Sequence, residues 1–161
     1  MDDEAVVERQ LGRAPRGMST VAARCPHGAP AVIEQAAYLP DGEPFPTTYY
    51  LTCPHAVAAV SRLEDGGGVA RYERLVADDG ELASSYRSGA DRQRMLRRPA
   101  TRMLDGGASL DLGIGGTSRD GAIKCLHAHA AFALAEPGYE LGERVLAEAA
   151  PLFPKDVCCS L

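Results

Sequence analysis

Two tripeptides, Cys25-Pro26-His27 and Cys53-Pro54-His55, bracket the stretch that most restricts how this chain can fold. Between them, Ala31 to Tyr38 reads as a strand, and Thr47 to Thr52 is β-branched and aromatic enough to be the returning one. The connection, Leu39-Pro40-Asp41-Gly42-Glu43-Pro44-Phe45-Pro46, is turn chemistry throughout. An antiparallel hairpin brings its two ends together, so Cys25 and Cys53 are expected to be neighbours. Pro suits the first position of a helix, where its missing N–H would have no partner anyway. Cys53 therefore falls at or near the N-cap of a helix that runs to the stop Asp65-Gly66-Gly67-Gly68. The positive end of a helix dipole lowers the pKa of a cysteine there, and thiolate is the form that ligates metals and attacks electrophiles.

Most of the remaining pattern is helical. A short helix is expected over 2–11, capped by Asp2 or Asp3 and ended by the loop Gly12-Arg13-Ala14-Pro15-Arg16-Gly17. Helices are also expected over 69–77 and 80–98, from about Asp120, and over 139–149, where Leu141, Val145 and Leu146 form the apolar stripe. These elements predict an α+β fold: a small antiparallel hairpin or sheet packed with several helices, and helix-rich. At 161 residues the chain is sized for one core. The expected organisation is an N-terminal helix and basic loop over 1–20, a single α+β domain over 21–150, and a flexible tail over 151–161. With 45% hydrophobic and 24% charged residues, the balance is that of a soluble globular protein.

Cysteine and histidine are distributed together. The chain has five Cys and four His, and every His follows a Cys by two or four residues: His27, His55, His127 and His129 follow Cys25, Cys53 and Cys125. The spacing matches no standard zinc motif, and a disulfide framework suits neither the length nor a reducing compartment. On a helix starting near Asp120, Cys125 and His129 share a face while Lys124 and His127 point elsewhere. The metal set expected from this geometry is Cys25, Cys53, Cys125 and His129. Small buried cysteines near helix starts are the plainer alternative.

Several features bear on anions. The segment Leu112-Gly113-Ile114-Gly115-Gly116-Thr117-Ser118 is a Gly-rich loop, whose Gly113, Gly115 and Gly116, with Arg24, form the candidate anion- or cofactor-binding set. It lacks the spacing of a Walker loop or a dinucleotide fingerprint, and a tight turn explains it equally well. Arg87, Arg92, Arg94, Arg97 and Arg98 crowd one helix, where a solvated face is the ordinary reading. Of the basic residues 15 are Arg and 2 are Lys, so Lys124, directly before Cys125, stands out. A net charge of −5 disfavours nucleic-acid and anionic-membrane binding, and no apolar run is long enough to span a bilayer. The acidic start Met1-Asp2-Asp3-Glu4 is unlike a secretory signal, and Ala-, Gly- and Arg-rich usage without Asn or Trp suggests a bacterial, cytoplasmic protein. The end, Cys158-Cys159-Ser160-Leu161, superficially fits a prenylation signal but lacks a basic stretch before it.

Taken together, Leu11-Gly12-Arg13, Pro15-Arg16-Gly17, Arg24-Cys25-Pro26, Gly42 to Thr47, Tyr49 to Pro54, Ser61-Arg62-Leu63-Glu64, Gly113 to Gly116 and Lys124 to His129 resemble the bacterial domain-of-unknown-function family numbered 501. The resemblance runs from about residue 8 to 146. It implies a small bacterial cytoplasmic protein and supplies no reaction. The family pattern carries other residues at His27 and His55, which lowers their standing as ligands.

Three readings remain. One is a metal site, either closed structural zinc or an iron–sulfur cluster with an open corner, built on Cys25, Cys53 and Cys125 with His129 or an outside ligand fourth. The second is a metal-free enzyme with Cys53 as nucleophile, His127 or His129 as acid or base, and Lys124 with the Gly-rich loop as an anion site, acting on a phosphorylated or acyl substrate; a small anionic ligand is the partner this allows. The third is an interaction module with inert, buried cysteines. Oligomeric state is left open by all three.

Overall fold

The computed structural model describes residues 2–104 and 111–157, with the backbone alone described over 100–104. The fold is α+β, as the sequence predicts. Helix α1 spans Asp3–Leu11, and the Asp2 carboxylate accepts the Glu4 N–H at its start. Strands β1 (Met18–Arg24), β2 (Pro30–Gln35) and β3 (Tyr49–Leu51) form an antiparallel sheet in that order. Then come α2 (Pro54–Asp65), α3 (Gly68–Asp78), α4 (Gly80–Leu104), a single 3₁₀ turn at Ile114–Gly116, α5 (Leu126–Ala135) and α6 (Glu140–Ala149).

The predicted hairpin is β2–β3, with Val32 opposite Leu51 and Glu34 opposite Tyr49. Strand β1 is an addition to the expectation. Its residues Ser19, Ala22 and Ala23 carry little β preference, and irregular register against β2 breaks the alternation that would mark a strand. The C-terminal ends of β1 and β3 lie at the same end of this sheet, which places Cys25 and Cys53 there. The Cys25 N–H bonds the Ala29 carbonyl in the β1–β2 turn, and the Cys53 N–H approaches that of Ala31.

Helix α5 is the centre of the molecule. Leu126 and residues 128–133 are all buried, because Leu-His-Ala-His-Ala-Ala-Phe-Ala is apolar nearly all round, the mark of a core helix. It packs on β3 at one side and on α6 at another. Gly142 permits the second contact: a Cβ there would lie 2.5 Å from the His129 carbonyl oxygen.

The start of α5 departs from expectation. The helix begins at Leu126 and not near Asp120. Gly121 sits at φ +75°, and three side chains hold the segment between by its backbone. Tyr86 Oη donates to the Ala122 carbonyl at 2.7 Å, Glu73 accepts the Ile123 N–H at 2.9 Å, and Glu64 accepts the Leu126 N–H. Cys125, at φ −157° and ψ 151°, is the extended N-cap residue.

Four arginines of α4 are committed within the fold. Arg87 pairs with Asp120, Arg92 with Glu136, and Arg94 with Asp91 and Asp111. Arg97 is buried and donates to Thr48 Oγ1 and to the carbonyls of Ala37 and Phe45, pinning the β2–β3 connection to α4. Val6 and Val7 of α1 are fully buried, and Leu152 and Phe153 pack against the core while His27 bonds the Pro154 carbonyl at 2.9 Å. Helix α1 and residues 152–154 thus make contacts with the rest of the fold. The C-terminal Cys158 and Cys159 lie outside the described residues. No helix among the described residues is long and apolar enough to cross a membrane.

Candidate metal centre and its cleft

Helix α2 presents Val57, Ser61 and Glu64 on one stripe, at the four- and three-residue spacing that stacks side chains on a helix face. The first turn of α5 lies against this stripe. His127 meets all three: its Nδ1 lies 3.2 Å from Glu64 Oε1, and its Nε2 lies 3.1 Å from Ser61 Oγ and 3.2 Å from the Val57 carbonyl oxygen. Cys125 joins from the N-cap. One ligand atom from each of Glu64, Cys125 and His127 lies within 4.8 Å of the others, close enough for one metal ion to be held by all three.

The protons of this cluster are constrained. A carbonyl oxygen only accepts, so the contact with Val57 calls for a hydrogen on Nε2. A neutral ring then turns its Nδ1 lone pair towards a carboxylate oxygen that also only accepts. That contact is repulsive unless a cation, either a proton or a metal ion, sits between them. For Cys125, burial pushes the thiol pKa up, and the Glu64 charge adds to this. The N–H groups of Ala128 and His127 and the Lys124 ammonium pull the other way without prevailing.

The cluster lies at the wall of a cleft of about 560 Å³. Lys124, Cys125, His127 and Ser61 share its lining with Thr47, Gly115 and the apolar surfaces of Tyr49, Tyr50, Leu51, Val57 and Ala128. Gly115, at φ +74°, lets the loop pass beside α5, where a Cβ would already touch that of Ala128 at 3.4 Å.

The sequence-predicted residues divide sharply. Lys124, Cys125 and His127 come together, although a helix starting at Asp120 would have sent His127 away from Cys125. With Cys125 outside the helix, the four-residue face rule no longer applies to it. Cys25 and Cys53 are buried in the core and do not belong to the metal-competent group found among the described residues. Cys53 does occupy the predicted N-cap, but at 1% exposure no substrate reaches it. His129 is equally buried, its Nδ1 2.7 Å from Tyr139 Oη and its ring stacked between Tyr86 and Tyr139. Burial drops its pKa to about 4, so the ring is neutral.

The anion-binding set is likewise redistributed. Arg24 forms a two-bond ion pair with Asp3, tying α1 to β1. The Gly113 N–H donates to the Thr117 carbonyl and the Gly116 N–H to the Gly113 carbonyl, so both donors serve the turn itself. Only Gly115 of the three lines the cleft. Sequence reasoning missed Glu64 and Ser61 as site residues. Their signals were helical spacing on α2 and a place in the Ser61-Arg62-Leu63-Glu64 motif, neither of which says what the stripe faces.

The fold and this cluster define a helix-rich α+β protein with a Glu/Cys/His group able to hold a metal ion. The chain matches, over residues 21–147, the family described as protein of unknown function (DUF501), and it belongs to that family. The matched stretch contains Ser61, Glu64, Lys124, Cys125 and His127. No curated protein and no solved structure matches the chain.

Proposed function

We propose that this protein binds one divalent metal ion, zinc by the chemistry of the donors, through Glu64, Cys125 and His127, and that the open coordination position serves chemistry in the adjoining cleft. The observation that carries the reading is the convergence of a carboxylate, a thiol and an imidazole within 4.8 Å at the cleft wall. Thiolate, imidazole and carboxylate together suit zinc, and three protein ligands with a vacant position are the pattern of a catalytic site. The Val57 carbonyl at Nε2 accords with the tautomer that leaves Nδ1 available, as a metal-bound imidazole requires. An iron–sulfur cluster calls for more thiolates than the one this group contains. Zinc in this setting would polarise a carbonyl or lower the pKa of a bound water to about 7.

A metal-free enzyme would use the same cluster, with Cys125 in place of Cys53 as nucleophile and His127 as its base. Burial, which pushes the Cys125 thiol pKa up and so disfavours the thiolate, argues against that reading. A coordinated metal removes the obstacle, since it deprotonates the thiol outright. A bacterial cytoplasm, reducing enough to keep Cys25, Cys53 and Cys125 as thiols, is the compartment that accords with this chemistry.

The test is metal analysis of untagged protein with zinc supplied during growth. About one zinc per chain is expected in the wild type and in Cys25→Ala and Cys53→Ala, and far less in Cys125→Ala and His127→Ala. Circular dichroism establishes that each variant is folded. Equal zinc in wild type and Cys125→Ala, or none in zinc-supplied wild type, would overturn the proposal.

A further inference from the structure

The cleft beside the metal group is itself selective, and its chemistry narrows what it takes. Resting on the metal reading above, we infer that the substrate is a small carboxylate with an apolar body, its carboxylate paired with Lys124 and its reacting group turned to the open position of the Glu64–Cys125–His127 ion.

Three observations support this choice. The cleft, at about 560 Å³, has the size of a small-molecule site, and Tyr50, Leu51, Val57 and Ala128 give it an apolar wall. Lys124 supplies a positive charge at the rim, with the Thr47 hydroxyl as a further polar group in the lining. Several N–H groups beside the cleft that a phosphate could use are engaged within the fold. At the N-terminus of α5, Glu64 takes the Leu126 N–H, while the N–H groups of His127 and Ala128 act on Cys125. In the Gly-rich loop, Gly113 and Gly116 donate to Thr117 and Gly113. Arg87, Arg92 and Arg94, which could have forked onto a phosphate, are paired with carboxylates and line other surfaces. A single ammonium with a few hydroxyls, and no guanidinium in the lining, suits a singly charged carboxylate better than a phosphate dianion, which is ordinarily met by several N–H groups or a guanidinium fork. The apolar wall then takes up the rest of the molecule.

The test uses the full chain, with and without zinc, and calorimetric titration of hexanoate and 3-phenylpropanoate, their primary amides, and phenyl phosphate. The variant is Lys124→Met, which keeps the length of the stem and removes the charge; its zinc content and circular dichroism are measured alongside. The expected result is that the carboxylates bind, while the amides, and the carboxylates on Lys124→Met, bind about tenfold more weakly, the effect of one charged hydrogen bond. Phenyl phosphate is expected to bind no better than the amides. The inference is overturned if the amides bind as well as the acids, if Lys124→Met binds the acids undiminished, or if phenyl phosphate binds tightest. Carboxylate binding that vanishes on zinc removal and ignores Lys124→Met would mean simple ligation of the ion, and also overturns it. Lys124-dependent binding to protein that takes up no zinc would sustain the carboxylate site while defeating the metal reading, so the two failures are distinguishable.

Discussion

At the scale of single residues, the three described cysteines have different fates set by where the backbone puts them. Cys25 and Cys53 are core side chains, and Cys125 is half-buried at a cleft. Iodoacetamide should therefore modify Cys125 in native, zinc-free protein while Cys25 and Cys53 react only after unfolding. Because burial raises the Cys125 pKa, the rate should keep climbing through the pH range in which an ordinary cysteine would already have levelled off. Ser61 holds the His127 ring by its Nε2, so Ser61→Ala should weaken zinc affinity about tenfold with the fold intact. His129 makes a separate prediction. Its folded pKa of about 4 lies below the value of 6.5 expected in the unfolded chain, so between those values the unfolded state binds more protons. Stability should then fall as pH drops from about 6.5 to about 4, by on the order of 3 kcal/mol, and the slope should flatten in His129→Gln if denaturant titrations are compared across that range.

At the scale of elements, close packing of α5 on α6 depends on Gly142. An added Cβ would lie 2.6 Å from that of Ala133 as well as against the His129 carbonyl. Gly142→Ala should cost about 2 kcal/mol in urea denaturation despite the better helix propensity of Ala, because overpacking between two helices outweighs it. Much of this level was legible in the sequence where the signal is local. Pro54 after Cys53 marks the start of α2, Asp2 caps α1, and β-branched and aromatic residues flank a Pro/Gly connection in the β2–β3 hairpin. Two elements escaped because their causes are remote. Strand β1 is defined by pairing with β2 and not by its own Ala and Ser residues. The late start of α5 is imposed by Tyr86, Glu73 and Glu64, from three other helices. That one displacement changed the candidate site, since it moved Cys125 from a helix face shared with His129 to an N-cap beside His127.

At the scale of the whole molecule, the site exists because α2, far away in sequence, packs against α5, which itself lies on the sheet. Lys124, Cys125 and His127 could be singled out by their chemistry in the sequence, whereas Glu64 and Ser61 acquire meaning only once α2 is packed against the start of α5. The most direct test of the account is X-ray absorption at the zinc edge of the zinc-loaded protein. Binding by Glu64, Cys125 and His127 predicts one sulfur at about 2.3 Å, the remaining neighbours being nitrogen or oxygen at about 2.0 Å. The sulfur is expected to disappear in Cys125→Ser. Three sulfurs around the metal, or a sulfur signal unchanged by that substitution, would contradict the account and return the metal to a set of cysteines gathered elsewhere.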